Sequence, residues 1–134
     1  MSDIPLNYVE AIELLSIMGV DCNDKECAPC KSDYIIIDVR DDDFGGGNLV
    51  GAVNYPSITF ESKLDEVYNK CSDKKNVIFH CAHSMVRGPT CARRFIEHVN
   101  KYSLPDKNIK VLSGGYVNVD TNYSHLSNIF ENQH

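Results

Sequence analysis

Cys81 and Arg87 are separated by five residues in the stretch HCAHSMVRGP. The run Val77–His80 before them is typical of a buried strand, and Gly88-Pro89 after them signals the start of a helix. A loop between a strand end and a helix start offers inward-pointing N–H groups and the positive end of the helix, which together bind a tetrahedral oxyanion. The same positive field favours the thiolate form of Cys81, the nucleophilic form. Arg87 would add two parallel donors to the anion.

This spacing has two interpretations. In the first, Cys81 is a nucleophile and Arg87 clamps the anion that it attacks, so the site transfers a phosphoryl-like group through a cysteine intermediate. In the second, Cys81 is a buried residue at a strand end and Arg87 forms a surface salt bridge. We favour the first because a strand before the loop and a helix after it are the context that the chemistry requires.

Strands and helices are expected to alternate along the chain, which predicts an α/β fold with a parallel sheet covered by helices on both faces. The β-branched run within residues 34–40 is the strongest strand signal besides that at residues 77–80, and it is typical of a strand covered on both faces. Shorter strands are expected at residues 53–56 and 109–112. Helices are expected at residues 7–15 with Asn7 as the cap, 62–70 with Ser62 as the cap, 88–101, and from about 116 through Leu126 and Phe130. Residues 19–32 and 41–51 are expected to be irregular loops.

Length and charge narrow the classes of function. The chain has 134 residues, which predicts a single domain over residues 1–134. Its formal net charge of −6 argues against a nucleic-acid partner, because phosphates would be repelled. No apolar run approaches the roughly 18 residues of a membrane span, and the amino terminus does not resemble a secretory signal. We expect no membrane association and a cytoplasmic location, with the nucleus as an alternative.

Four stretches, in the right order, resemble one known family. HCAHSMVRGPTCARRF looks like the active-site loop of rhodanese-fold phosphatases and arsenate reductases. This group includes the cell-division-cycle dual-specificity phosphatases and their small relatives in plants and fungi. YIIIDVRDDDFGGGNLVGAVNYPS, NVIFHC and VLSGGY are similar to other segments of the same domain. The resemblance covers about residues 5–119, which we expect to form the core of the domain.

The resemblance implies a three-layer α/β/α architecture with a central, mainly parallel sheet of about five strands. Sulfur-transferring members have a loop one residue shorter, so the length seen here implies an oxyanion the size of phosphate or arsenate. Carried over, Cys81 is the nucleophile and Arg87 the clamp, with Ser84 assisting the leaving step. The expected substrate-binding residues of the loop are Ala82, His83, Ser84, Met85, Val86 and Arg87.

The sequence departs from the family at two positions. The cell-cycle phosphatases resemble one another in an acidic residue just before the loop arginine, and here that residue is Val86. They also resemble one another in a second cysteine inside the Asp-x-Arg segment, where this chain has Val39. No other acid for the leaving group is apparent, and Asp41, Asp42 and Asp43 are interpreted as solvated turn residues. An internal resolving thiol would have to be Cys91, which otherwise is expected to be a small buried side chain.

The remaining cysteines leave three interpretations open. Cys22, Cys27 and Cys30 form a C-x4-C-x2-C pattern that could bind zinc, hold a redox pair, or be unligated loop thiols. Zinc prefers four ligands, and the fourth would have to be a distant residue such as Cys71, His98 or His125. Because strong strands and helices argue against a disulfide scaffold, we expect a reducing compartment.

Charged and polar residues around the loop are assigned supporting roles. His80 is expected to tune the loop by hydrogen bonding, and Asp38 and Arg40 to brace it through charged hydrogen bonds. His83 is expected at the loop tip. Arg93 and Arg94 either attract an anionic substrate or face solvent.

The leading functional hypothesis is a cysteine-dependent protein phosphatase of tyrosine or dual-specificity type, for which no cofactor is required. The close alternative is an arsenate reductase with glutathione and glutaredoxin as co-substrates. Sulfur transfer and non-catalytic phosphate binding are further alternatives. The expected partner is a phosphorylated protein or a small oxyanion, and the expected state is a monomer.

Overall fold

The computed structural model describes residues 5–18, 34–101 and 107–131, and within these ranges the chain alternates strands and helices. The strands are β1 Asn7–Val9, β2 Tyr34–Asp38, β3 Asn48–Leu49, β4 Val53–Asn54, β5 Asn76–His80, β6 Asn108–Leu112 and β7 Phe130–Glu131. The α-helices are α1 Ala11–Ile17, α2 Leu64–Cys71, α3 Arg87–Lys101 and α4 Gly115–Tyr123. Short 3₁₀ helices span Asp42–Phe44, Ser57–Lys63 and Ser127–Ile129.

Five strands form one parallel sheet in the order β1-β6-β5-β2-β4. This confirms the predicted parallel sheet of about five strands. Strand β5 lies in the middle, paired with β2 on one side and β6 on the other, and Asp38 is the register partner of His80. The chain that follows β5 therefore leaves the centre of the sheet at its carboxyl edge, where α/β proteins bind ligands.

Both faces of the sheet are buried, as the β-branched run within residues 34–40 predicted. Ile36 and Ile78 pack on one face with residues of α1 and α4, whereas Ile37 and Phe79 pack on the other with residues of α2 and α3. Successive side chains of a strand point to opposite faces, so each of the two central strands contributes to both cores. Helices thus cover both faces, as expected. No helix in the described ranges is long and apolar enough to cross a bilayer.

The prediction of a helix from residue 7 was wrong at its start. Asn7–Val9 is a strand because it pairs with β6, with Tyr8 opposite Val111. Helix α1 begins only at Ala11, where Glu10 and Glu13 form a reciprocal capping box in place of the predicted Asn7 cap.

Three further elements differ from expectation. Ser62 is not a helix cap, because its hydroxyl bonds the carbonyl of Thr59 inside a 3₁₀ helix and α2 starts at Leu64. The chain after α4 does not continue as a helix, because Phe130 pairs with Leu49 in a small antiparallel sheet. The segment 41–51, predicted to be an irregular loop, therefore contains the short strand β3. The predicted loop at residues 19–32 lies outside the described residues.

Candidate active site

The loop that carries Cys81 and Arg87 connects the end of β5 to the start of α3, as predicted. We call residues 81–86 the Cys81 loop. Cys81 is only 3% exposed, whereas His83, Met85 and Val86 are exposed on the outer side of the loop. The predicted loop residues are therefore brought together around a buried thiol.

Two backbone amides point at the sulfur of Cys81. The N–H groups of Ser84 and Gly88 donate to Sγ over 3.2 and 3.3 Å. Gly88 lies in the first turn of α3, whose N–H groups have no partner within the helix and carry its positive partial charge. Both donors are aimed at the atom that would attack a substrate. The Ser84 donor lies in the predicted range of loop amides, whereas Gly88 lies beyond Arg87 and was not anticipated.

Helix α4 holds the opposite side of the Cys81 loop. The N–H groups of Tyr116 and Val117 donate to the carbonyls of Cys81 and Ala82 over 3.0 and 2.9 Å. A Cβ on Gly115 would lie 2.4 Å from the carbonyl oxygen of Ala82, and Gly115 has a φ of 65°. Only glycine fits this position, because the approach is too close for a side chain and the backbone is left-handed. Both carbonyls are bound on this side of the loop, while the Ser84 N–H donates to the sulfur.

His80 also binds the back of the loop. Its Nδ1 lies 3.1 Å from the carbonyl oxygen of Cys81, so Nδ1–H is the donor, and its Nε2 lies 3.7 Å from Asp38 Oδ2. Complete burial lowers the pKa of His80, which keeps the ring neutral despite the nearby carboxylate of Asp38. The geometry agrees with the hydrogen-bonding part predicted for His80.

Ser84 combines two unusual features. It is a non-glycine residue with a φ of 56°, in the left-handed region that such residues rarely occupy. Its buried Oγ has no hydrogen-bond partner within the described part of the chain. A buried hydroxyl without a partner costs free energy, so this atom is available to a ligand bound in the loop.

Arg87 is held by two aspartates of the preceding loop, residues 41–47, which we call the acidic loop. Its Nη1 and Nη2 bind Asp43 Oδ1 and Oδ2 over 2.9 and 2.8 Å, and Nη1 also lies 3.2 Å from Asp41 Oδ2. Both aspartates thus pair with Arg87, which the interpretation as solvated turn residues did not include, although Asp43 is exposed as expected. Asp42 is exposed and its carboxylate is not among those paired with Arg87.

These contacts shift the acidity of both partners. Hydrogen bonding to Arg87 lowers the pKa of Asp43 from 3.8 to about 2. Burial acts to raise the pKa of Asp41, but hydrogen bonds from Ser57, Ile58 and Arg87 outweigh it, and the pKa is lowered. The same carboxylates raise the pKa of Arg87. The site without ligand therefore contains an ion pair at the position of the anion clamp.

A second, buried arginine braces the acidic loop. Arg40 binds Asp38 through Nε and Nη2, with Nη2 2.7 Å from Oδ2, and Nη2 also donates to the carbonyl of Gly47. The Arg40 guanidinium lies 4.2 Å from the centre of the Tyr116 ring. Asp38 and Arg40 thus make charged hydrogen bonds, but these hold the acidic loop and not the Cys81 loop that we expected them to brace. The pair links the acidic loop to helix α4.

Other residues singled out in the sequence lie away from the thiol or outside the described ranges. Cys91 and Cys71 are buried, and burial raises the pKa of each to about 12. Arg94 pairs with Glu61. The Cys22, Cys27 and Cys30 cluster lies outside the described residues. Within residues 5–18, 34–101 and 107–131, no group of three or more histidine, cysteine or acidic side chains could hold a metal ion.

Sequence reasoning missed the acidic pair and the anchoring role of α4. The three consecutive aspartates were candidate acids, because chemistry at an ester requires an acid for the leaving group, but no local pattern indicated that they pair with Arg87. The signal for the anchor was Gly114-Gly115 after β6, where a tight backbone approach is expected.

Comparison with known proteins agrees with this geometry. The rhodanese-like domain matches residues 24–122. The chain belongs to the rhodanese-like family.

Two curated relatives carry different functional names. The dual specificity phosphatase Cdc25 of Arabidopsis thaliana is 40% identical over 89 residues, which cover 64% of this chain and 61% of that protein. Arsenate reductase 2.1 of Oryza sativa subsp. japonica is 34% identical over 114 residues, which cover 83% of this chain and 65% of that protein. In both cases the matched part spans less than two thirds of the relative.

A solved structure supports the fold. The rhodanese-family protein tyrosine phosphatase Ygr203w of yeast superimposes with a TM-score of 0.81 over 99% of this chain and 96% of that chain. Its sequence identity of 23% makes this a likeness of fold.

Proposed function

We propose that the protein is a cysteine-dependent phosphatase that acts on phosphate monoesters through a phosphocysteine intermediate on Cys81. The observation that carries the proposal is the pair of N–H groups, from Ser84 and Gly88, that converge on the buried Cys81 sulfur. A buried structural cysteine gains little from two donors aimed at its sulfur, whereas a thiolate nucleophile needs them.

The reaction proceeds in two steps. Cys81 Sγ attacks phosphorus, the S–P bond forms, and the ester P–O bond breaks as the leaving oxygen takes a proton. Water then attacks phosphorus, the S–P bond breaks, and phosphate leaves with the thiolate restored. The charge of the transferring group spreads over its equatorial oxygens, which the N–H groups of Ser84 and Gly88, the Ser84 hydroxyl and the Arg87 guanidinium would bind.

The substrate, compartment and assembly are parts of the same proposal. We propose a phosphorylated protein as the physiological substrate, with a tyrosine, serine or threonine phosphate, and a monomer that acts in the cytoplasm or nucleus. The exposed Met85 and Val86 beside the site are compatible with an apolar substrate neighbourhood.

Arsenate reduction is the second candidate, supported by the 34% identical rice protein named arsenate reductase. Arsenate has nearly the shape of phosphate, so the same loop would accept it, and Val86 supplies no acid for an ester leaving group. Cys81 would displace water from arsenate to form a thiol–arsenate adduct. Two electrons from the thiols of glutathione and glutaredoxin would then reduce As(V) to As(III), with a disulfide formed and arsenite released.

A paired assay separates the two candidates. Purified protein and its Cys81→Ser variant are tested for phosphate release from an aryl phosphate, and for arsenate reduction with glutathione and glutaredoxin. We expect phosphate release that disappears in Cys81→Ser. A dominant arsenate rate would favour the second candidate, and the absence of both activities in the folded wild-type protein would refute the cysteine mechanism.

A further inference from the structure

The anion clamp is already occupied by a side chain of the protein. Asp43 binds Arg87 with two parallel hydrogen bonds of 2.9 and 2.8 Å, which is the arrangement that two oxygens of a phosphoryl group would use. A phosphoryl group on Cys81 cannot use the same two donors while Asp43 holds them. Substrate binding through this Nη1 and Nη2 edge of the guanidinium therefore requires Asp43 to leave.

Asp43 can move, whereas Asp41 is fixed. Asp41 Oδ2 accepts from the Ser57 hydroxyl over 2.6 Å and its Oδ1 from the Ile58 N–H over 3.1 Å, so it would keep these partners without Arg87. Asp43 is 40% exposed, and apart from Arg87 its carboxylate accepts only backbone N–H groups, that of Asp41 over 2.9 Å and its own. Without Arg87, the Asp43 carboxylate would keep no side-chain partner among these contacts and would lie partly in solvent beside Arg87.

The charges around Asp43 determine its protonation once it leaves Arg87. Arg87 faces it from α3, Asp41 and Asp42 share its loop, and Arg40 binds its backbone carbonyl from the sheet. The low pKa of Asp43 comes first from Arg87. Once Arg87 binds a phosphoryl group, Asp43 loses its cation and gains an anion as neighbour, and both changes favour the protonated carboxyl.

We propose that Asp43 exchanges Arg87 for the phosphoryl group of the substrate and then donates the proton to the leaving oxygen. The inference rests on the proposed phosphatase function and supplies the acid that Val86 lacks. Asp43 takes its proton from solvent when substrate binds. As the S–P bond forms and the ester P–O bond breaks, that proton passes to the leaving oxygen. The regenerated carboxylate then accepts a proton from the water that cleaves the S–P bond.

The test compares leaving groups in Asp43→Asn. The ratio kcat/KM reports steps up to formation of phosphocysteine, and is measured for phenyl phosphate and for dinitrophenyl phosphate. Phenolate leaves poorly without a proton, whereas dinitrophenolate leaves as the anion. We expect kcat/KM to fall about 100-fold for phenyl phosphate and less than about threefold for dinitrophenyl phosphate. Because the two substrates are compared on one variant, the contrast does not depend on how much of it is folded.

Asp42→Asn is the matched control, since it removes the same charge one residue away from a carboxylate that does not pair with Arg87. We expect it to change the two kcat/KM values equally and by less than about threefold. Inorganic phosphate should inhibit Asp43→Asn at lower concentration than wild type, because an internal competitor for Arg87 is gone.

The outcomes distinguish a failure of the role proposed for Asp43 from a failure of the proposed phosphatase function. Equal losses with both leaving groups in Asp43→Asn would overturn the acid role, and unchanged phosphate inhibition would overturn the exchange. In either case an active wild-type protein would leave the phosphatase function standing. A folded wild-type protein that hydrolyses neither ester would refute the phosphatase function, and this inference with it.

Discussion

Two arginine–aspartate pairs lie beside the Cys81 loop and differ in their surroundings. Arg40 and Asp38 are 4% and 0% exposed, and Arg40 also binds backbone carbonyls and stacks on Tyr116. Arg87 and Asp43 are 31% and 40% exposed, and Arg87 directly follows the Cys81 loop. Both pairs use charge-assisted hydrogen bonds shorter than 3 Å, yet only the second has solvent to replace its partner.

This difference in exposure indicates different roles: the buried pair holds the site in place, and the exposed pair responds to substrate. A buried pair is expensive to break because it leaves an uncompensated charge, so Arg40 and Asp38 fix the acidic loop relative to the sheet. An exposed pair contributes little to stability and can exchange partners at low cost. An arginine–aspartate pair therefore positions the site at Arg40 and Asp38, and can exchange partners with a substrate at Arg87 and Asp43.

The largest effect is expected from breaking the buried pair. Arg40→Met should lower the free energy of unfolding by about 3–5 kcal/mol, because Asp38 is left as a buried charge without its cation. Denaturant unfolding measures this. Arg94→Met, at the exposed pair with Glu61, is the control and should cost no more than about 1 kcal/mol. Similar losses in the two variants would remove the distinction between buried and exposed pairs.

Arg87→Lys should affect activity instead of stability. Lysine keeps the charge but loses the two parallel donors, so we expect kcat/KM to fall about 100- to 1,000-fold, as when an oxyanion donor is removed. The free energy of unfolding should change by less than about 1 kcal/mol, because the pair is partly exposed. Steady-state kinetics and denaturant unfolding are measured on one preparation. A stability loss as large as that of Arg40→Met would contradict the assignment.

Gly115→Ala tests whether close backbone contact between helix α4 and the Cys81 loop supports the site. A methyl group there would meet the carbonyl oxygens of Cys81 and Ala82, and alanine is strained at this φ. We expect a loss of about 1–3 kcal/mol in unfolding free energy together with reduced activity. Gly46→Ala is the control, since Gly46 also has a positive φ but a Cβ there would meet nothing within 4 Å. Equal activity in the two variants would show that contact with the loop carbonyls is unimportant.

The smallest effect concerns acid stability. The pKa of Asp43 is lowered from 3.8 to about 2 in the folded protein, so the unfolded chain binds more protons between these values. Asp43 therefore stabilises the fold above pH 3.8, and this contribution is lost as the pH falls toward 2. Exposure limits it to less than about 1 kcal/mol. The free energies of unfolding of wild type and Asp43→Asn should become equal in acid. At neutral pH, added salt should reduce the difference between these two free energies. A constant difference across this range would argue against the pairing.

Local patterns in the sequence were enough to predict the centre of the sheet and the loop. Strands β2 and β5 each have an apolar centre because both faces are covered. The loop with Cys81 and Arg87 joins β5 to a helix with a clear start signal. These features depend on neighbouring residues, so they can be read locally.

Long-range partners explain the errors. Strand β1 was mistaken for a helix start because its conformation depends on pairing with β6, about a hundred residues away. The bond from Arg87 to Asp43 joins residues 44 positions apart, and no local pattern encodes it. The sequence alone therefore could not show that Asp41 and Asp43 pair with Arg87.

The central claim is that a phosphoryl group resides on Cys81 during turnover. The most direct measurement uses an aryl phosphate that is radiolabelled at phosphorus. The reaction is quenched rapidly, and the labelled peptide is mapped in wild type and in Cys81→Ser. We predict label on the peptide that contains Cys81 in wild type and none in Cys81→Ser. Label on another residue, or turnover that persists in Cys81→Ser, would contradict the phosphocysteine mechanism.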